Sequence, residues 1–135
     1  MEGQGLPLAV EIEGAQRHDK KLLEATLAGL VLALEPESEV NWHLCLDAGY
    51  DYLDIPPMVE AHGYVPHIRS RREERAEQVR HPHKQPRRWV VERTASWLNR
   101  YRRLLIRWEK KAENYLGFLQ LACALICLRA TGLFG

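Results

Sequence analysis

An α/β domain is the fold class this sequence predicts, on three observations. Short apolar or alternating runs at residues 6–13, 40–46 and 64–68 interleave with stretches of helical periodicity. That strand, helix, strand, helix, strand order argues for a sheet with crossover connections. Turn residues such as Gly14, Pro36, Gly49 and Gly63 punctuate the junctions. Finally, 135 residues, 46% hydrophobic and 27% charged, suffice for one domain with an ordinary core, taken here as 1–135.

Residues 6–13 (Leu-Pro-Leu-Ala-Val-Glu-Ile-Glu) alternate toward their end, hold their proline near the beginning and stop at Gly14, which predicts a strand. A helix is expected over about residues 20–34, where Leu22, Leu23, Leu27, Leu30, Val31 and Leu34 form an i, i+3, i+4 stripe. Residues 40–46 read as a buried strand closed by Asp47-Ala48-Gly49-Tyr50-Asp51, a tight glycine turn. Asp47 then stands at the carboxyl end of that strand. Pro56-Pro57 opens a short helix to about His62, Gly63 caps it, and residues 64–68 form another short strand. Residues 69–88 are polar, basic and broken by Pro82 and Pro86, so they read as a loop. Two helices are expected after it, over about residues 88–108 and 113–128.

The net charge of +1 conceals a strong segregation. Residues 1–65 carry 3 Lys/Arg against 12 Asp/Glu, whereas residues 66–111 carry 15 against 5. An acidic half suits divalent cations and a basic half suits phosphates, although a solvated basic surface has the same composition. Several classes are disfavoured. The start of the chain lacks the basic and apolar regions of a secretion signal, and the apolar run at 115–128 is too short for a membrane span, so a cytoplasmic protein is expected. Cys45, Cys123 and Cys127 are odd in number and sit in apolar runs, which reads as reduced core residues rather than a disulfide framework.

The run from Arg87 to Arg103 contains a single carboxylate, Glu92, among arginines. On a helix, Val90, Trp97, Leu98, Tyr101, Leu104, Leu105 and Trp108 form an apolar stripe. Arg88, Glu92, Ser96, Asn99 and Arg103 line the other side, so Glu92 is carried on a polar face. It reads either as a catalytic or metal-binding acid or as half of an i, i+4 salt bridge with Arg88, worth a few tenths of a kcal/mol. Asp47 reads either as a ligand, since ligands collect at the carboxyl ends of strands in open α/β sheets, or as local turn chemistry, with Asp51 a second acid in the same turn.

The strings Leu44-Cys45-Leu46-Asp47-Ala48-Gly49-Tyr50-Asp51, Gly63-Tyr64-Val65-Pro66-His67-Ile68-Arg69, and Arg87-Arg88-Trp89-Val90-Val91-Glu92-Arg93-Thr94 to Arg107-Trp108 resemble the DDE-type transposases of bacterial insertion sequences. So does the segment Gly5-Leu6-Pro7-Leu8-Ala9-Val10 with Gly14-Ala15-Gln16-Arg17-His18-Asp19. The resemblance implies a ribonuclease-H-like mixed sheet flanked by helices, with two Asp and one Glu holding two Mg²⁺ (or Mn²⁺) ions for in-line displacement at phosphorus. Asp47 would be the second acid and Glu92 the third, both catalytic and metal-binding. A related group has a Tyr, Arg, Glu, Lys signature around the Glu. Arg88 and Glu92 keep that spacing, whereas Gln85 and Asn99 stand in place of the Tyr and Lys, leaving Arg100 or Arg103 as substitutes.

No position matches the strand that bears the family's first Asp. The chain is therefore expected to be the C-terminal part of a single DDE catalytic domain without its first strands, inactive or nearly so alone. A decayed element, a displaced start codon and the downstream half of a split transposase all fit. Partners implied are DNA (element ends and target) and an upstream transposase half or a second copy. DNA contacts are expected from Arg69, Arg71, Arg72, Arg87, Arg88, Arg100 and Arg103. The competing reading is a non-enzymatic DNA-binding fragment using Arg69, Arg71, Arg72, Arg75, Arg80, Lys84, Arg87 and Arg88, with Trp89 and Trp97 available to stack on bases. A zinc site of His67, His81 and His83 is weaker still, for want of a fourth ligand. His43 and His62 read as packing or surface residues.

Overall fold

A computed structural model of the chain describes residues 1–30, 41–70, 73, 76, 79, 80 and 89–133, and the backbone of Arg88. Two compact units emerge, each with its own core. One comprises Gln16–Ala28 with Leu32–Gln85; the other comprises Met1–Ala15, Gly29–Val31 and Pro86–Gly135.

The first unit holds helix α1 (Lys20–Ala28), strand β1 (Trp42–Leu46), a 3-10 turn (Ala48–Tyr50), helix α2 (Ile55–Ala61) and strand β2 (Tyr64–Ile68). Helix α1 buries Leu23 and Leu27, one turn apart on the expected stripe. The helix ends at Ala28, short of the expectation, with Gly29 in a turn and Leu30 outside it, and residues 31–34 lie outside the described residues. Two prolines near its start suit α2, because their missing N–H groups fall where a helix has no acceptors. Its end is set by Gly63, whose φ of 82° fits the left-handed position after a helix and whose N–H donates to Glu60 O at 2.9 Å. Ile55 and Val59, 2% and 0% exposed, are the most buried side chains of this unit.

β1 and β2 run parallel, in register from Trp42 opposite Tyr64 to Leu46 opposite Ile68, with α2 as the crossover between them. Parallel strands require such a crossover, so the β1–α2–β2 order read from periodicity is recovered. Exposure alternates along β2 and from His43 to Leu46 in β1, with His43, Cys45, Val65 and His67 on the open face, while Trp42 at the start of β1 is also exposed. Cys45 is thus exposed rather than a core residue, because period two puts it on the opposite face from Leu44 and Leu46.

The second unit holds helices α3 (Arg88–Leu98), α4 (Arg102–Leu105) and α5 (Ala112–Ala130), with α3 and α4 both touching α5. One continuous helix over 88–108 was expected. Instead Arg100 and Tyr101 donate to Trp97 O and Leu98 O, tightening the last turn, and Tyr101 then turns extended at φ −89° and ψ 101°. That break takes Leu105 and Trp108 off the buried stripe, leaving them 61% and 72% exposed. Helix α5 buries Ala122 and Ile126, while Leu121, Leu125 and Leu128 stay on the surface.

Residues 6–13 form no strand. Helix side chains take up the carbonyls of this region instead: Arg93 Nη1 donates to Gln4 O at 3.2 Å, the Thr94 hydroxyl to Gly5 O, and Cys127 Sγ to Pro7 O at 3.3 Å. Gly5 is buried with φ 91°, and a Cβ there would sit 3.2 Å from Val90 O and 3.3 Å from Thr94 Oγ1. Gly5→Ala is expected to destabilise the chain by about 1–3 kcal/mol in urea unfolding, through backbone strain and crowding together. Gly3→Ala, where a Cβ meets nothing within 4 Å, is the control and should leave the midpoint nearly unchanged. Equal effects would show that Gly5 does not anchor the segment. Among the described residues no helix is long and apolar enough to cross a membrane.

Candidate functional site

Asp47 directly follows β1, as predicted, and caps the 3-10 turn. Its Oδ1 accepts the Gly49 N–H at 2.8 Å, and its Oδ2 has no hydrogen-bond partner among the described residues. A Cβ at position 49 would approach Asp47 Oδ1 to 2.9 Å, so a larger residue there would push the carboxylate aside. The turn therefore fixes the carboxylate through one oxygen and leaves the other available.

Three more acids flank this turn or precede it. Asp54 is neutralised by Lys20, whose Nζ lies 2.7 Å from Oδ1 and 4.3 Å from the centre of the Tyr52 ring. The hydrogen bond from Lys20 holds the Asp54 carboxyl below the usual range. Asp51 ends the 3-10 turn and is exposed. Asp19 and Asp47 both bear on half-buried Tyr50, whose phenol is pushed up by burial first and then by these two charges. Asp19 and Asp47 thus both stand close enough to the Tyr50 phenol to bear on its charge.

Glu92 projects from α3 in the second unit and is exposed. Its neighbours two residues either way, Val90 and Thr94, are both buried, and helical geometry turns Glu92 outward between them. No described side chain bonds its carboxylate, and the Arg88 side chain, its candidate salt-bridge partner, lies outside the described residues. Asp47 belongs to the strand unit and Glu92 to the helical unit. Among the described residues no three His, Cys, Asp or Glu side chains group closely enough to hold a metal ion.

The basic residues fare unequally. Arg71, Arg72, Arg75, Lys84, Gln85 and Arg87 lie outside the described residues, as do His81 and His83 of the candidate zinc site. Arg69, Arg80, Arg100 and Arg103 are exposed. Arg103 stacks on Phe118 at 4.8 Å, with Nε 3.5 Å from Glu109 Oε1. That glutamate side chain is only 7% exposed, and its Oε2 is a buried oxygen without a described partner, as is the Tyr101 hydroxyl.

Sequence reading missed two further arginines. Arg93 stacks on Trp89 at 4.6 Å and on Trp97 at 5.7 Å. Arg107 lies over Tyr115 at 5.6 Å and donates Nε to Glu109 O at 3.1 Å. The signal for the first was present as Trp89 and Trp97 each four residues from Arg93. Such stacking holds a guanidinium by its face and leaves its edge for a phosphate.

The basic loop also needs correction at its start. Ser70 N–H and Oγ both donate to Glu73 Oε2 at 3.0 Å, while Glu73 N–H donates back to Ser70 Oγ at 3.3 Å. These reciprocal bonds form a capping box, and Glu73, Ala76, Val79 and Arg80 have helical backbone. The hydrogen bonds from Ser70 hold the Glu73 carboxyl below its usual range. A Ser-x-x-Glu spacing was legible in the sequence but hidden among arginines.

The family model for a transposase DDE domain matches residues 1–127. Over 133 residues the chain is 34% identical to a Burkholderia cepacia protein described as "Putative transposase for insertion sequence element IS402". The match covers 93% of this chain and 59% of that protein, so the chain spans about three fifths of the relative's length. No solved structure matches.

Proposed function

The chain belongs to the transposase DDE-domain family, and from that premise we propose that it supplies the second and third acids, Asp47 and Glu92, of a centre for DNA strand cleavage and strand transfer in transposition. The observation that carries this reading is the Asp47 turn. A carboxylate stands at the carboxyl end of a parallel strand, held by the Gly49 amide through Oδ1 and unpartnered at Oδ2 among the described residues. Side-chain carboxylates of this kind are hard oxygen donors suited to Mg²⁺ or Mn²⁺. Bound there, such ions would activate water or a 3′-hydroxyl and stabilise the leaving oxygen.

This chain's own contribution is to orient and to hold. Gly49 fixes the Asp47 carboxylate, and buried Val90 and Thr94 turn Glu92 outward. Exposed arginines of α3, α4 and the turn after α4 take DNA phosphates. We infer ribonuclease-H-like topology for the complete domain, with β1 and β2 two strands of its mixed sheet. Only two of the three acids have counterparts here, so the chain alone is expected not to cut DNA. An upstream transposase half would supply the first acid and complete it, in a cytoplasmic setting.

Titration with Mn²⁺, followed by electron paramagnetic resonance, tests the assignment on the isolated chain. Weak binding is expected, and Asp47→Asn and Glu92→Gln should each weaken it by about tenfold, or ~1.4 kcal/mol. Asp51→Asn should leave it unchanged. Undiminished Mn²⁺ binding in either of the first two variants removes that acid from the site.

The arginines stacked on Trp89, Trp97, Phe118 and Tyr115 support a second reading, a DNA-binding fragment without catalysis. The two readings separate on Mn²⁺: the second needs none.

A further inference from the structure

His43 and His67 meet on the open face of the strand pair. His43 Nδ1 and His67 Nε2 are 2.7 Å apart, with ring centroids at 4.9 Å and planes tilted by 39°. Both residues are exposed. Neighbouring strands fix their backbones: His67 pairs with Cys45, two residues along from His43, so the rings reach toward each other diagonally on one face.

Two ring nitrogens at this separation leave room for one proton between them, one nitrogen donating and the other accepting. A metal ion can replace that proton and use both lone pairs. Zinc sits about 2.0–2.1 Å from each imidazole nitrogen, which places two such ligands roughly 2.9–3.4 Å apart in tetrahedral or right-angled geometry. Opening the pair by a few tenths of an ångström requires only small side-chain rotations on an exposed face. Neutral imidazoles suit zinc, copper and nickel and are poor partners for Mg²⁺, so this site and the Asp47 carboxylate call for different ions.

We propose that His43 and His67 form a two-imidazole chelate for a borderline divalent metal of the zinc class, which staples β1 to β2 just ahead of Asp47. Water or an outside donor fills the remaining positions, which makes the site open and reversible rather than a closed structural one. Cys45, on the same face and directly across from His67, is a soft neighbour that the site does not need. The proposal stands apart from the transposition chemistry, because it rests on neither Asp47 nor Glu92.

Its test is calorimetric titration of the purified chain with ZnCl₂ in excess MgCl₂, with thermal unfolding in parallel. Saturable binding is expected, with an unfolding midpoint raised by roughly 5 °C at ten times the dissociation constant. His43→Asn and His67→Asn should each weaken binding at least tenfold, and the double variant should be little worse than either, since a chelate needs both. His62→Asn, Asp47→Asn and Glu92→Gln should leave zinc affinity unchanged. Absence of zinc binding by the unaltered chain, or its survival in either single histidine variant, overturns the proposal. So does its loss only on replacing His81 and His83. Loss of Mn²⁺ binding in Asp47→Asn with zinc binding intact would uphold both sites separately.

Discussion

Raising monovalent salt from 50 to 200 mM is expected to weaken binding of this chain to duplex DNA by roughly 10³-fold, the response of about five or six neutralised phosphates. Fluorescence anisotropy with two unrelated duplexes of equal length measures it, and similar affinities for both are expected because phosphate contacts carry no sequence information. The basis is the concentration of positive charge after residue 65, with Arg80, Arg93, Arg100, Arg102, Arg103 and Arg107 all exposed in the structure. Three of these are held against aromatic rings. Less rotamer freedom then remains to be lost on binding, which favours the contact. Glu109 touches Arg103, but through Nε at 3.5 Å and with the guanidinium largely in water, so the opposing charge subtracts little. Arg103→Ala and Arg107→Ala should each lower the salt slope by about one and reduce affinity alike for both duplexes. A salt response near zero would mean that the basic half is only a solvated surface.

How much of this was legible beforehand divides along a physical line. Local signals transferred well: Pro56-Pro57 and Gly63 bracket α2, period two gives β2 at Tyr64–Ile68, and Asp47 falls at the end of β1 as the turn residues required. What failed depended on partners distant in sequence. Residues 6–13 carry strand periodicity, yet a strand exists only through its ladder, and here Arg93, Thr94 and Cys127 satisfy the neighbouring carbonyls from helices some 90 to 120 residues away. The stripe over 88–108 was continuous on a helical wheel, but no wheel registers that Tyr101 leaves helical backbone. The His43 and His67 contact was invisible for the same reason, since the two residues are 24 apart and meet only through the register of their strands. At the candidate site the residue types and their local settings were readable, the acid in a glycine turn and the acid on an arginine-rich face. The aromatic platforms beneath Arg103 and Arg107 were not, because the rings sit on a different helix.

In a full-length transposase that carries this chain together with the first acid, Glu92→Gln should reduce Mg²⁺-dependent DNA strand cleavage by about 10³-fold or more, since a metal-held carboxylate contributes several kcal/mol to the transition state. The amide keeps the size of the side chain and removes its charge. Because Glu92 is exposed and outside the core formed by Val90, Thr94, Ala122 and Ile126, the variant should unfold at the same urea concentration. DNA affinity should hold or rise slightly, as one negative charge leaves a basic face. Asp47→Asn is the companion test and is stricter. Asparagine can still accept the Gly49 N–H through its side-chain oxygen, so the turn survives while the anionic oxygen is lost. Cleavage should fall as far as in Glu92→Gln, and the double variant should cut no less than either alone, because acids that hold the same ions act as one unit. Cutting at the unaltered rate by Glu92→Gln would exclude that residue as the third acid, whatever the strength of DNA binding.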